Sequence, residues 1–195
     1  MLERVTRRWS PWWTVIAAAV PVVLTLWSHT PPGGYFTTSV VALLCWVAVG
    51  SVWLFTGVAA VVVLPPPRPR HLARLWPYLL VPALMVTTEV VVDTGVVPRA
   101  AFAAHRSALE ALVAEVGAAP DRSVRDRRVG LFTVSWANVD GSTGCTVLKV
   151  ADAGFLDATG YAHCPDRAPV DVVAGGEGYT FEPIDGPWYG FTARW

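Results

Sequence analysis

Glu89 and Asp93 stand four residues apart in an otherwise apolar stretch, the spacing best suited in this chain to proton or cation chemistry. On a helix that spacing puts both carboxylates on one face. Counted from Trp76 at about 1.5 Å per residue, Glu89 lies roughly 20 Å and Asp93 about 26 Å along such a helix. A carboxylate held in hydrocarbon costs a few kcal/mol by insertion scales. It is therefore expected to be protonated, hydrogen-bonded to Thr87, Thr88 or Thr94, or turned toward water or a partner. One reading is a proton or cation site, or a polar contact to a partner subunit, with His29 a conceivable neighbour. The other is a pair of interfacial carboxylates that reach the outer headgroups and orient the helix. Placement in the outer third of the stretch, not at its middle, favours the second.

Cys145 and Cys164 form the next pair. If the strands around them meet at a turn centred between Gly154 and Phe155, position 145 falls opposite 164, and a cross-strand disulfide fits. Closing that loop would contribute roughly 3 kcal/mol. The competing use of Cys164 as a nucleophile beside His163 lacks a third group or an oxyanion device. Cys45, in an apolar run, reads as packing.

The other chemical candidates are thinner. His163, Cys164 and Asp166 are close in sequence but lack the second Cys/His pair of a tetrahedral metal site. Asp140, Asp152 and Asp157 do not have calcium-loop spacing. Gly175-Gly176-Glu177-Gly178 has neither the lysine nor the strand-to-helix context of a phosphate loop and reads as a turn. Tyr179, Phe181, Trp188, Tyr189, Phe191 and Trp195 could line a carbohydrate or peptide groove, although aromatic strand residues in a small domain more often form its core. No catalytic, cofactor-binding or metal-ligating constellation emerges, and an enzyme is not the expected class. An envelope hydrolase would have to draw on His163 or the aspartates.

The elements that carry these residues are set by an uneven composition. Of 195 residues 53% are hydrophobic and 15% charged, where soluble domains carry about 25% charged. In residues 1–97 the charges are Arg4, Arg7, Arg8, Arg68, Arg70 and Arg74 against Glu3, Glu89 and Asp93. No basic run is dense enough for a nucleic-acid surface. The near-exclusive use of arginine (Lys149 is the only lysine) matches the Ala, Val and Gly bias of a GC-rich coding sequence.

Three apolar stretches follow, at about 9–28, 36–64 and 75–97. The first is short for a bilayer, which needs roughly 20 helical residues. It is completed by a flank in which Trp9, Trp12 and Trp13 make an aromatic belt, and Pro21 is expected to kink it. A cleaved signal peptide is the weaker reading, because small residues are missing where cleavage needs them. The second is uncharged and ends at Pro65-Pro66-Pro67; Gly50 and Gly57, on one face with Ser51 beside them, are expected to admit a neighbouring helix. The third is bounded by Pro98. The N-terminal segment and the 65–75 loop are rich in arginine, while 28–35 carries none. The positive-inside rule then puts the N-terminus in the cytoplasm and everything after Val97 outside.

Beyond Pro98, residues 99–117 read as an amphipathic helix through Ala101, Phe102, Leu109, Leu112, Val113 and Val116, with Arg106 and Glu110 paired on the far side. Asp121 to Arg128 reads as a charged connector. Strands are expected at 129–139, 144–150, 158–164, 178–184 and 188–195, with hairpin turns at Asp140-Gly141 and Asp185-Gly186. Gly154-Phe155-Leu156-Asp157, then Gly160-Tyr161-Ala162-His163 with Pro165, and Gly186-Pro187-Trp188-Tyr189, resemble uncharacterised small multi-pass membrane proteins of actinobacterial type, mainly over the C-terminal third. The resemblance implies a membrane-anchored outer domain and brings no activity with it.

The expectation is a multi-pass plasma-membrane protein: three transmembrane α-helices in residues 1–97, then a small extracytoplasmic α+β domain in 98–195, one helix plus about five antiparallel strands. Its partners are the lipid bilayer and another membrane or envelope protein that the outer domain binds or supports. The alternative is a subunit of a transporter, channel or proton-linked device using Glu89.

Overall fold

The structure, a computed structural model, describes residues 12–63, 76–166, 168–174 and 177–194. The chain divides into two compact units, Met1–Trp27 with Thr38–Thr94, and Ser28–Thr37 with Gly95–Trp195.

The first unit is built on three helices, α1 (Trp12–Ser28), α2 (Phe36–Val63) and α3 (Trp76–Asp93). Among the described residues, Phe36–Ala59 is long and apolar enough to cross a membrane. Tyr78–Asp93 passes that test only when joined to Val96–Ala118. At 17 and 18 residues, α1 and α3 measure about 26 and 27 Å, just short of a ~30 Å hydrocarbon core. The expected extensions to residue 9 and to Leu75 lie outside the described residues, as do Pro65-Pro66-Pro67 and the arginines of 1–8 and 68–74.

The helices touch along a narrow seam. Ala18, Trp46 and Val81 are buried there, with Val15, Val22, Val49, Trp53 and Leu84 around them. The Trp46 indole N–H donates to Thr25 Oγ1 at 3.1 Å, and that of Trp53 donates to the Tyr78 carbonyl at 2.7 Å. Trp12 meets Trp76 edge-on, 5.5 Å between ring centres. Of the two glycines expected to admit a neighbour, Gly57 faces the Tyr78 ring, whereas a Cβ on Gly50 would meet open space. Cys45 is a free thiol. Large apolar side chains, Leu43, Leu44, Phe55 and Leu79 among them, point away from the seam and are exposed.

The second unit packs one helix on one sheet. Helix α4 (Val96–Ala118) is followed by β1 (Ser123–Val129), β2 (Phe132–Val139), β3 (Thr146–Val150), β4 (Ala158–His163), β5 (Val172–Ala174), β6 (Glu177–Asp185) and β7 (Trp188–Arg194). Among the described residues the sheet has seven strands in the order β1-β2-β3-β4-β7-β6-β5, every pair antiparallel. Phe102, Leu109, Leu112 and Val116 of α4 pack against Phe132, Val134, Leu148, Val150, Tyr161 and Trp188. The apolar stripe of α4 is thus consumed by the sheet, as its three- and four-residue spacing requires.

Four sequence expectations change. The third helix ends at Asp93, not Val97, because Gly95 takes a left-handed φ of 65° and serves as N-cap of α4. Pro98 then lies in the first turn of α4, where its missing N–H has no intrahelical partner to lose. Asp121 to Arg128 is not a connector: it supplies β1, an edge strand whose Arg125, Asp126, Arg127 and Arg128 are exposed, the composition that keeps an edge from pairing further. The single strand expected at 129–139 is two, broken at Gly130 (φ 58°), over which the His105 ring lies so closely that no Cβ fits. The fourth change is β5, which pairs Val172–Ala174 with β6.

The loop Ser28–Thr37, expected only to join two spans, belongs to this second unit. The Gly154 N–H donates to the Gly34 carbonyl at 2.8 Å, and Tyr35 bridges Gly154 in parallel. Gly33 (φ 76°) lies over Thr159, where a Cβ would come within 2.5 Å of the threonine side chain.

Candidate functional site

Cys145 and Cys164 form a disulfide, with their Cα atoms 4.4 Å apart. The register of β3 on β4 (Thr146↔His163 through Lys149↔Gly160) is the one that a turn between Gly154 and Phe155 dictates. It brings the two cysteines opposite each other just beyond the paired strands. They border a cleft of about 350 Å³ lined by Gly141, Ser142, Thr143, Gly144, Pro165 and Asp166. The Asp140 side chain organises that rim, accepting from the Ser142 N–H and hydroxyl and from the Thr143 hydroxyl at 2.7 to 3.1 Å. Burial acts to raise the Asp140 pKa, but these hydrogen bonds outweigh it and hold the carboxyl below its usual value.

His163 and Asp166 do not join Cys164 in a site. Cys164 is spent in the disulfide. The His163 ring lies 4.8 Å from that of Trp188, and Asp166 is exposed at the cleft. Burial lowers the His163 pKa, partly opposed by the Glu110 carboxylate. Among the described residues no three His, Cys, Asp or Glu side chains are grouped so as to hold a metal.

Glu89 and Asp93 both lie in the last turns of α3 and both are exposed. Two of the threonines expected to bond them donate to backbone carbonyls of α3 instead: Thr88 to that of Leu84 and Thr94 to that of Val91, each at 2.7 Å.

The aromatic residues divide between the two faces of the sheet. Trp188 faces α4 and is fully buried. The face away from α4 forms a second cluster in which Cys145, Val147, Ala158, Ala162, Cys164, Phe191 and Ala193 are buried and Tyr179, Phe181 and Tyr189 are partly exposed around them. No residue of α4 belongs to this cluster. Its floor is small because Ala158, Gly160 and Ala162 alternate along β4, and Gly160 lies so close to the Leu148 carbonyl that a Cβ would collide with it. Tyr179 and Phe181 stack with centres 6.3 Å apart, and Tyr179 leans on Phe191 at 6.4 Å. Farther along the sheet the half-exposed Trp136 stands opposite Lys149 in register, with Arg125 opposite it on β1. Trp195 lies outside the described residues.

Under the Ser28–Thr37 loop lies a polar seam that sequence reasoning missed. The Tyr161 and Thr159 hydroxyls are buried and have no hydrogen-bond partner among the described residues. Burial, then the Tyr35 phenolate, raise the Tyr161 pKa; burial and the Asp152 carboxylate do the same to Tyr35. Both phenols therefore stay protonated near neutrality, as donors and not bases. The one sequence signal was Pro31-Pro32-Gly33-Gly34, too stiff and too glycine-rich for an arbitrary connector.

Comparison with protein-family models, with curated proteins and with solved structures returned no match.

Proposed function

We propose that the chain is a three-span protein of the plasma membrane, its N-terminus cytoplasmic, whose extracytoplasmic α+β domain binds another envelope component on the sheet face turned away from α4. The observation that carries this reading is that face itself. Tyr179, Phe181 and Tyr189 surround a floor of small buried residues, and among the described residues no helix side chain belongs to their cluster. Flat aromatic groups over a small-residue floor fit the apolar faces of sugars or an extended peptide, and Trp136 with Lys149 and Arg125 adds cationic groups at one end. Its anchorage is supported by α2, only 11% of whose most apolar window is buried within the chain. It is supported too by the exposed apolar sides of α1 and α3, which need lipid or another helix as cover. The arginines before α1 and between α2 and α3 support that orientation.

The test is in-cell photocrosslinking with p-benzoylphenylalanine placed at Tyr189. One dominant adduct is expected, lost when Tyr179 and Phe181 are both replaced by Ala. Adducts indistinguishable from those formed with the probe at the exposed Val170 would remove the reading.

A further inference from the structure

Phe155 and Leu156 are adjacent and 67% and 77% exposed at the tip of the turn between β3 and β4. An isolated exposed apolar residue needs no explanation, but this pair has a fixed neighbour. The Phe155 ring lies 4.1 Å from that of Phe36, itself 41% exposed. Phe36 is the first residue of α2, the helix long and apolar enough to cross a membrane.

The turn is not free to swing away from Phe36. The Gly154 N–H donates to the Gly34 carbonyl, Tyr35 bridges Gly154, and Asp152 and Gly154 both adopt left-handed φ values, 59° and 82°, that fix the turn's path. A Cβ on Gly154 would strike the Asp157 carbonyl. Phe36 and Phe155 are thus held together where the chain enters α2, with the exposed Leu156 next to Phe155 in the chain. Asp152 and Asp157 flank the tip and would be repelled by anionic headgroups, which leaves the apolar side chains as the attractive part of the tip.

We propose that Phe155 and Leu156, with Phe36, insert into the outer-leaflet interface, so that the outer domain rests on the bilayer through this turn as well as being tethered by its helices. The inference rests on the reading of α2 as a membrane span. The partner is the acyl and glycerol region of the lipid, not a headgroup of particular charge. Aromatic and leucine side chains suit that depth.

The test uses the full chain with Cys45→Ala, reconstituted in vesicles of zwitterionic phosphatidylcholine. Single nitroxide labels are attached through Leu156→Cys, Val170→Cys or Leu44→Cys, and collision with oxygen and with a water-soluble nickel complex is measured. The oxygen-to-nickel ratio is expected to be several-fold higher at 156 than at 170, and higher still at 44. A ratio at 156 equal to that at 170 while 44 is deep would overturn the insertion alone. Water exposure at 44 would overturn the span and the insertion with it. Phe155→Ser at the labelled Leu156→Cys position is expected to move the label toward water; no movement would also count against the insertion.

Discussion

Removing the disulfide tests how the helix-plus-sheet unit is held together, and the size of the effect can be worked from the fold. Cys145 and Cys164 are 19 residues apart. For a loop of that length the chain-entropy relation gives about 11 cal/mol/K, or about 3 kcal/mol at 25 °C. A domain of this size has roughly 5–15 kcal/mol in all, so the bond supplies a substantial share. With a urea m-value of about 1–1.5 kcal/mol/M, replacing both cysteines by Ala should lower the unfolding midpoint by about 2–3 M. Alanine is chosen because both sites are nearly inaccessible, at 1% and 5% exposure, and a serine hydroxyl there would be buried unpaired. The assay is pulse proteolysis in urea on detergent-solubilised full chain, with the helix-plus-sheet unit followed by gel. Reducing agent should reproduce the shift in the parent chain and do nothing to the double variant. A shift below about 0.5 M would refute the loop-closure argument, and full alkylation of both thiols in unreduced, denatured chain would refute the bond itself.

Other substitutions reach different parts of the structure. Gly130→Ala should destabilise the helix-plus-sheet unit by about 1–3 kcal/mol, since it adds a Cβ at φ 58° under the His105 ring; the same urea assay reads it. The folded His163 pKa lies below the usual 6.5, so the unfolded chain binds the extra proton first as pH falls. The stability tied to His163 is therefore whole above about pH 6.5 and is lost as pH falls from there through the lower folded value; His163→Gln should flatten that slope in midpoints measured between pH 7.5 and 5. Glu89→Gln is expected to leave proton and cation flux in vesicles unchanged, because the carboxylate is exposed near the end of α3; a lost flux would restore the proton-linked reading.

Elements with strong local codes were legible residue by residue. The stripe of Phe102, Leu109, Leu112 and Val116 predicted the buried face of α4, and the turn at Gly154-Phe155 was enough to place Cys145 opposite Cys164. Asp185-Gly186 marked the last hairpin. What misled was composition read without neighbours. Four charged residues in succession concealed β1, whose pairing comes from β2 and whose side chains face water. Pro98 drew attention from Gly95, although a proline is harmless in a first helical turn and a left-handed residue is not. Gly130 was overlooked because β-branched and aromatic residues run on both sides of it.

The candidate binding face shows the same division. Alternation along β4 and β7 says which residues share a side, but not that β7 inserts between β4 and β6. That insertion sets Tyr189 and Phe191 beside Ala162 and Gly160, and it arises from pairing between distant segments that no local propensity encodes.

By itself, the amino-acid order determined the apolar helices, the helix-plus-sheet character of the second half and the cysteine pairing. Each rests on composition or on periodicity over a few residues. Tertiary structure alone decided that the Ser28–Thr37 loop is part of the second unit, covering Thr159 and Tyr161 and carrying Phe36 onto Phe155. It alone decided which aromatic residues are core and which remain on the surface. The first outcome depends on contacts between residues more than a hundred positions apart and the second on pairing between separate strands and α4, where the fit of a glycine against a threonine or a ring against a ring exists only once both surfaces have formed.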